Sequence, residues 1–270
     1  MALNINGIRL NVQQSGAGRS LLLLHGFTGS AATWTPLIES LPPHFHTIAP
    51  DLIGHGRSDS PLDAERYRMD RCVADLLAVL DALEVERADV LGYSMGGRVA
   101  LHLAAAAPQR VGALVLESSS PGIADAAERH ARIAADLTLA ESIERERLAA
   151  FVERWERLPL FASQASLPKD KRMRLHAQRL LNSTLGLANS LRGMGAGQQE
   201  SLWDRLAGLD VPTLLIAGAL DVKYRGLAGE MLALLPNARA VIVPGAGHAV
   251  HLEQPQSFAK NVLEFLHRDG

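Results

Sequence analysis

The sequence predicts an α/β protein in which a mostly parallel sheet is flanked by helices and interrupted by an inserted helical lid. Three observations predict it. Short, largely apolar runs at 21–24, 46–49, 88–91, 113–116, 213–217 and 240–243 alternate with longer segments of helical spacing. From Pro121 to about residue 206 only helical periodicity is found, and the alternation resumes at Pro212. Finally, the corner Gly92-Tyr93-Ser94-Met95-Gly96 joins an apolar run directly to an alanine-rich one, a strand passing into a helix. Residues 1–120 and 207–270 are therefore expected to form one discontinuous core and 121–206 the lid.

Taken in order, residues 3–13 alternate apolar and polar side chains around Asn6-Gly7, the pattern of a β-hairpin, and Gly16 to Gly18 make the next turn. The run 21–24 reads as a strand buried on both faces, because it is too short for a helix and does not alternate. The loop His25-Gly26-Phe27-Thr28-Gly29 follows, then a short helix over 34–41, a strand over 46–49 and a glycine-rich connection over 51–58. Val73, Leu76, Leu77, Leu80 and Leu83 recur at helical spacing and predict a helix over 66–83. Beyond the lid the spacing predicts a strand at 213–217, a helix at 227–235, a strand at 240–243 and a closing helix at 257–267.

Composition removes several function classes. Net charge is −2, no basic run exists and aromatic residues are only 4%, so there is neither an electrostatic footprint nor a stacking surface for nucleic acid. The uncharged span 20–38 is interrupted by Gly26, Gly29 and Pro36 and lacks the continuous apolarity of a membrane helix. The first ten residues lack a charged segment leading into an apolar core, so no signal peptide is expected. Cys72 is the only cysteine, which excludes an internal disulfide, and its helical setting suits a buried apolar residue. A cytoplasmic protein without membrane or nucleic-acid partners is expected.

The chemistry lies in three separated residues, Ser94, Asp221 and His248, each just past a predicted strand. Carboxyl ends of parallel strands share one sheet edge, so these residues are expected to converge there. A serine hydroxyl is a weak nucleophile or base at neutral pH; an imidazole must take its proton, and a carboxylate must orient the imidazole. Glu117, at the end of the strand before the lid, competes for the role of that carboxylate, and spacing and order favour Asp221. The amides of Phe27 and Met95 are expected to face each other as a two-donor oxyanion site. His25, His55 and Asp51 read as turn-stabilising residues, and His251 is assigned no role. Neither a metal nor an organic cofactor is called for.

These residues carry a resemblance. The whole chain resembles proteins of the α/β-hydrolase fold and, more narrowly, the family of menaquinone-pathway 2-succinyl-6-hydroxy-2,4-cyclohexadiene-1-carboxylate synthases. The narrower likeness rests on Leu24-His25-Gly26-Phe27-Thr28-Gly29-Ser30, on Gly92-Tyr93-Ser94-Met95-Gly96-Gly97-Arg98 and on Glu117-Ser118-Ser119-Ser120-Pro121-Gly122. It continues through Phe151-Val152-Glu153-Arg154-Trp155-Glu156, Pro159-Leu160-Phe161, Arg179, Asn182 and Ser190-Leu191-Arg192-Gly193-Met194-Gly195.

The resemblance implies a lyase: the Ser94-His248-Asp221 system removes a ring proton and pyruvate is eliminated, with no attacking water. It implies a small polyanionic carboxylate substrate, for which guanidinium groups are suited because they bind carboxylates in a bidentate manner. Arg98, on the first turn after Ser94, and Arg132 and Arg179, on the lid, are the candidates, with Arg129 an alternative to Arg132. Tyr93 is expected to donate to a carboxylate or to pack, and Trp155 to wall the pocket or fill the lid core. Arg192 and Lys223 are further candidate contacts, less favoured than these. Two other classes fit the same residues: a serine hydrolase, such as an esterase or carbon–carbon bond hydrolase, and a non-catalytic small-ligand receptor.

Overall fold

Eight strands form one sheet in the order β1-β2-β4-β3-β5-β6-β7-β8 in the computed structural model, which describes residues 1–268. The hairpin comes first. β1 (Ala2–Ile5) and β2 (Ile8–Ser15) pair antiparallel with Ile5 opposite Ile8, and Asn6 and Gly7 between them both have positive φ, at 46° and 83°. That is the two-residue turn whose twist matches the strands it joins. β2 then pairs antiparallel with β4 (Phe45–Pro50), and every later pairing is parallel, through β3 (Arg19–Leu24), β5 (Ala88–Tyr93), β6 (Val111–Glu117), β7 (Thr213–Gly218) and β8 (Ala238–Val243).

The parallel part is buried on both faces, as its unalternating runs require. In β3, Leu22 and Leu24 join one core cluster with α2 (Met69–Ala82) and α3 (Met95–Ala106), while Leu21 and Leu23 join the other, with α1 (Thr35–Ser40) and the closing helices. Each of these four leucines is fully buried, and each such burial stabilises the fold by about 1.5–3 kcal/mol.

Between β6 and β7 the described chain contributes only helices: α4 (Ala126–Arg145), α5 (Leu148–Glu156), α6 (Lys169–Arg179), α7 (Thr184–Met194) and short 3-10 turns. This insertion has its own small apolar cluster, in which Ala140 and Ile143 of α4 meet Phe151 and Val152 of α5 and Leu187, Ala188 and Leu191 of α7. Phe27 from the β3 loop and Trp155 pack against it, so the insertion sits over the carboxyl ends of the parallel strands.

Two helices start away from their sequence-expected positions. α2 begins at Met69 because Asp63 caps a separate 3-10 turn over Ala64–Tyr67 and Arg68 turns out of helical geometry at ψ 149°. α8 (Val222–Leu234) begins directly after Asp221, whose side chain caps it. α9 (Val250–Glu253) and α10 (Pro255–Arg268) close the fold. No described helix is long and apolar enough to cross a membrane.

Candidate active site

Ser94 sits at φ 52°, ψ −108°, between the last residue of β5 and the first of α3. A side chain in that left-handed region is strained, and the corner is held by its surroundings: the Ser94 amide donates to the Glu117 carbonyl at 2.8 Å and the Arg98 amide to the Ser94 carbonyl at 3.0 Å. The neighbouring glycines are required by space. A Cβ on Gly92 would overlap the Gly96 carbonyl, and one on Gly96 would overlap the carbonyls of Leu24 and His25.

His248, after β8, and Asp221, after β7, reach the same edge. Asp221 Oδ2 lies 2.7 Å from His248 Nδ1, and His248 Nε2 lies 3.0 Å from Ser94 Oγ. With Nδ1–H donating to the carboxylate, Nε2 is left free to accept the serine proton. His248 is only 2% exposed, and Tyr224 covers its ring at 4.6 Å between centroids. Asp221 Oδ1 also accepts from the Tyr224 amide at 3.2 Å, so one carboxylate orients the imidazole and starts α8.

The competing carboxylate is engaged elsewhere. Glu117 is fully buried and accepts from His251, at 3.0 Å from its amide and 2.8–2.9 Å from Nδ1. His25 uses both ring nitrogens within its loop: Nδ1 donates to the Gly26 carbonyl at 2.8 Å and Nε2 accepts from the Leu52 amide at 3.0 Å. Burial keeps it neutral by lowering its pKa. His55 donates from Nδ1 to the Ile53 carbonyl at 3.1 Å, and burial, helped by the neighbouring His25, holds its pKa down at about 3. Asp51 accepts from Asn11 Nδ2 and the amides of Ala31 and Arg57 at 2.7–2.9 Å, tying its own loop to β2 and to the 3-10 turn that starts at Ala31.

A chamber of about 300 Å³ lies over Ser94 and His248. Phe27, Tyr93, Met95, Arg98, Arg132 and Trp155 all line it. No backbone acceptor takes the amide hydrogen of Phe27 or Met95 among the described residues; Met95 is the first residue of α3, where the helix itself supplies none. Tyr93 is packed so closely on Gly26 that a Cβ there would overlap its ring. Trp155 packs edge-on to Phe27 and tilted against Phe151 and Phe161, and its buried Nε1 has no partner among the described residues.

The charge of this chamber is one-sided: Arg98, Arg132 and Lys223 line it, and no Asp or Glu does. Arg98 donates to the Met194 carbonyl at 2.9 Å and to Gln199 Oε1 at 2.5 Å and meets no carboxylate among the described residues. Burial lowers its pKa to about 10, which leaves it cationic at neutral pH. Arg132 is paired with Asp136 at 2.8 Å, while Arg129 lines a separate cleft. Arg179 stands apart. It is 5% exposed, pairs with Glu156 at 2.9 Å, lies over the Phe161 ring at 5.5 Å and lines a neighbouring cleft that shares only Phe161 with the chamber. The glutamate ending α5 holds it there. Arg192 is likewise occupied, by Glu144 at 2.6 Å.

Sequence reasoning missed Tyr224, Phe161 and Ser190, all of which line the chamber. Tyr224 carried a signal, three residues after a helix-capping aspartate, whereas the other two depend on how the insertion packs. Among the described residues no group of three or more His, Cys, Asp or Glu side chains is placed to hold a metal ion.

Comparison with known proteins agrees with this fold. The family model described as alpha/beta hydrolase fold matches residues 19–255. A Bacillus subtilis (strain 168) protein provisionally named 2-succinyl-6-hydroxy-2,4-cyclohexadiene-1-carboxylate synthase is 48% identical, covering 97% of this chain and 96% of that protein. The Serratia proteamaculans (strain 568) protein named for the same activity is 35% identical, over 96% of this chain and 98% of its own. Among solved structures, MenH from S. aureus superposes with a TM-score of 0.91 at 35% identity, covering 96% of this chain and 98% of that one.

Proposed function

The chain belongs to the α/β-hydrolase-fold family, and from that premise we propose that it is a pyruvate-eliminating lyase of menaquinone biosynthesis. Its substrate on this reading is 2-succinyl-5-enolpyruvyl-6-hydroxy-3-cyclohexene-1-carboxylate and its product 2-succinyl-6-hydroxy-2,4-cyclohexadiene-1-carboxylate. The names of the relatives support the reaction, and the observation that carries it is the chamber: cations and no acid around the Ser94–His248 hydrogen bond, with Arg98 half-buried and paired with no carboxylate among the described residues. A partly desolvated cation without a counter-ion carries a cost, and an anionic ligand offsets it.

Substrate and product differ by pyruvate and by the positions of the ring double bonds. The proton to be lost is on the ring carbon bearing the succinyl ketone, where its removal is eased by the adjacent carbonyl. Ser94 Oγ takes that proton while passing its own to His248 Nε2, and Asp221 stabilises the imidazolium formed. The electron pair of the broken C–H bond makes a new ring double bond, the existing one moves along the ring, and the C–O bond to the enolpyruvyl group breaks. The departing enolate takes the proton back from His248 and becomes pyruvate. Charge reaching the ketone oxygen is held by the amides of Phe27 and Met95 and the amino end of α3. A serine hydrolase would use the same three side chains with Ser94 attacking a carbonyl.

The test supplies the enolpyruvyl substrate and an activated ester in parallel. Pyruvate release that collapses in Ser94→Ala supports the lyase; rapid ester turnover without pyruvate overturns it.

A further inference from the structure

The Phe27 amide, one of the two donors that hold charge in the proposed reaction, is aimed by the turn that carries it. In Gly26-Phe27-Thr28-Gly29 the Gly29 amide donates to the Gly26 carbonyl at 2.9 Å, and His25 Nδ1 donates to the same oxygen at 2.8 Å. That carbonyl and the Phe27 N–H belong to one trans peptide and point in opposite directions. Holding the first therefore aims the second.

The turn is strained at its third residue. Thr28 has φ 67°, in the left-handed region that such turns reserve for glycine and that a β-branched side chain rarely enters. A contact from outside the turn has to keep it there. Asn182, between α6 and α7, provides that contact: its Nδ2 donates to the Thr28 carbonyl at 2.9 Å and to the Arg179 carbonyl at 3.0 Å, while its Oδ1 accepts from the Gly56 amide at 2.9 Å. The side chain is buried and both of its amide hydrogens are used. Gly56 follows His55, whose ring meets the Phe27 ring edge-on at 5.7 Å. One carboxamide on the helical insertion thus ties together the loop that carries the Phe27 amide and the loop on which the Phe27 ring packs.

We infer that Asn182 is a positioning residue for the Phe27 amide, so that the helical insertion fixes the geometry of the oxyanion site as well as walling the chamber. The inference rests on the Phe27 amide holding charge in the proposed reaction. Asn182 does not line the chamber and acts through Thr28. Charge on the substrate oxygen grows only towards the transition state, so a misaimed amide lowers kcat and leaves KM nearly unchanged.

The test separates the bond to Thr28 from the docking of the insertion. Asn182→Asp keeps an acceptor for Gly56 and loses the donor to Thr28; it is expected to lower kcat for pyruvate release about thirtyfold with KM within about twofold. Asn182→Ala is expected to lose as much, and Thr28→Gly added to it to raise kcat again about tenfold, because glycine needs no outside hold at positive φ. Asn189→Ala removes a different tie of the insertion, to the carbonyls of Pro61 and Leu62, and is expected to lower the thermal midpoint with kcat within about twofold. Wild-type kcat in Asn182→Asp, a loss carried by KM, or no recovery on adding Thr28→Gly overturns the inference while leaving the lyase intact. Turnover of the activated ester uses the same amides whichever reaction is native, and it is expected to fall about tenfold in Asn182→Asp. That fall in a protein that releases no pyruvate would overturn the lyase and leave the positioning role standing. Ester turnover unchanged in the variant overturns the positioning role whatever the enzyme catalyses.

Discussion

Arg98 Nη1 donates to the carbonyl of Met194 at 2.9 Å, so the first turn of α3 is tied to the last residue of α7 by a cation that meets no carboxylate among the described residues. The guanidinium is held in place by neutral acceptors, and its charge is paired with no carboxylate among the described residues. Arg98→Met is expected to lower kcat/KM for the proposed polyanionic substrate about a hundredfold, mainly through KM. Arg98→Lys is expected to recover little, because an ammonium cannot reach both Met194 and a ligand with a planar fork. Steady-state pyruvate release measures both, and an unchanged KM in Arg98→Met removes the residue from the site.

The two buried carboxylate–imidazole pairs predict opposite phenotypes. Asp221→Asn alters the tautomer of His248 and is expected to lower kcat about 10³–10⁴-fold with little loss of stability. Glu117→Gln strikes the pair with His251 and is expected to lower the thermal midpoint while kcat stays within about tenfold. Parallel measurement of kcat and unfolding separates them; a large kcat loss in Glu117→Gln would give that carboxylate the role assigned to Asp221.

These contrasts mark what the sequence could and could not say. Ser94, Asp221 and His248 were legible because each follows a strand, and strand ends converge whatever the rest of the chain does. Arg179 was legible as a cation on the helical insertion but not as the partner of Glu156, because that pairing depends on how α5 and α6 cross. The same applies to Arg129 and Arg132, one turn apart on α4 yet lining different cavities. Helix starts were displaced at two capping aspartates, Asp63 and Asp221, since caps override apolar periodicity at helix ends.

Glycines of the corner and of α8 should respond in opposite directions. A Cβ on Gly96 would overlap backbone oxygens of Leu24 and His25, which cannot move without displacing β3, so Gly96→Ala is expected to cost about 3 kcal/mol or more. Gly226, inside α8, has open space where a Cβ would go, and Gly226→Ala is expected to gain about 0.5–1 kcal/mol. Urea unfolding reads both; a stable Gly96→Ala protein would mean that the corner is looser than its contacts indicate.

Acid should weaken the fold before the carboxylates titrate. His55 is neutral when folded, its pKa held down at about 3 by burial first and by His25 second, against 6.5 in the unfolded chain. Between those values the unfolded state binds a proton that the folded state refuses, so stability is full above pH 6.5 and falls as pH drops towards 3. The loss for one such histidine is about 1.4 kcal/mol per pH unit. His25, lowered in the same direction by burial, adds to it. Unfolding free energy measured from about pH 7 to about pH 5 should therefore fall steeply in the wild type and less steeply, by about 1 kcal/mol per unit on average, in His55→Gln. Parallel slopes in the two proteins would show that His55 takes up its proton without unfolding the loop that buries it.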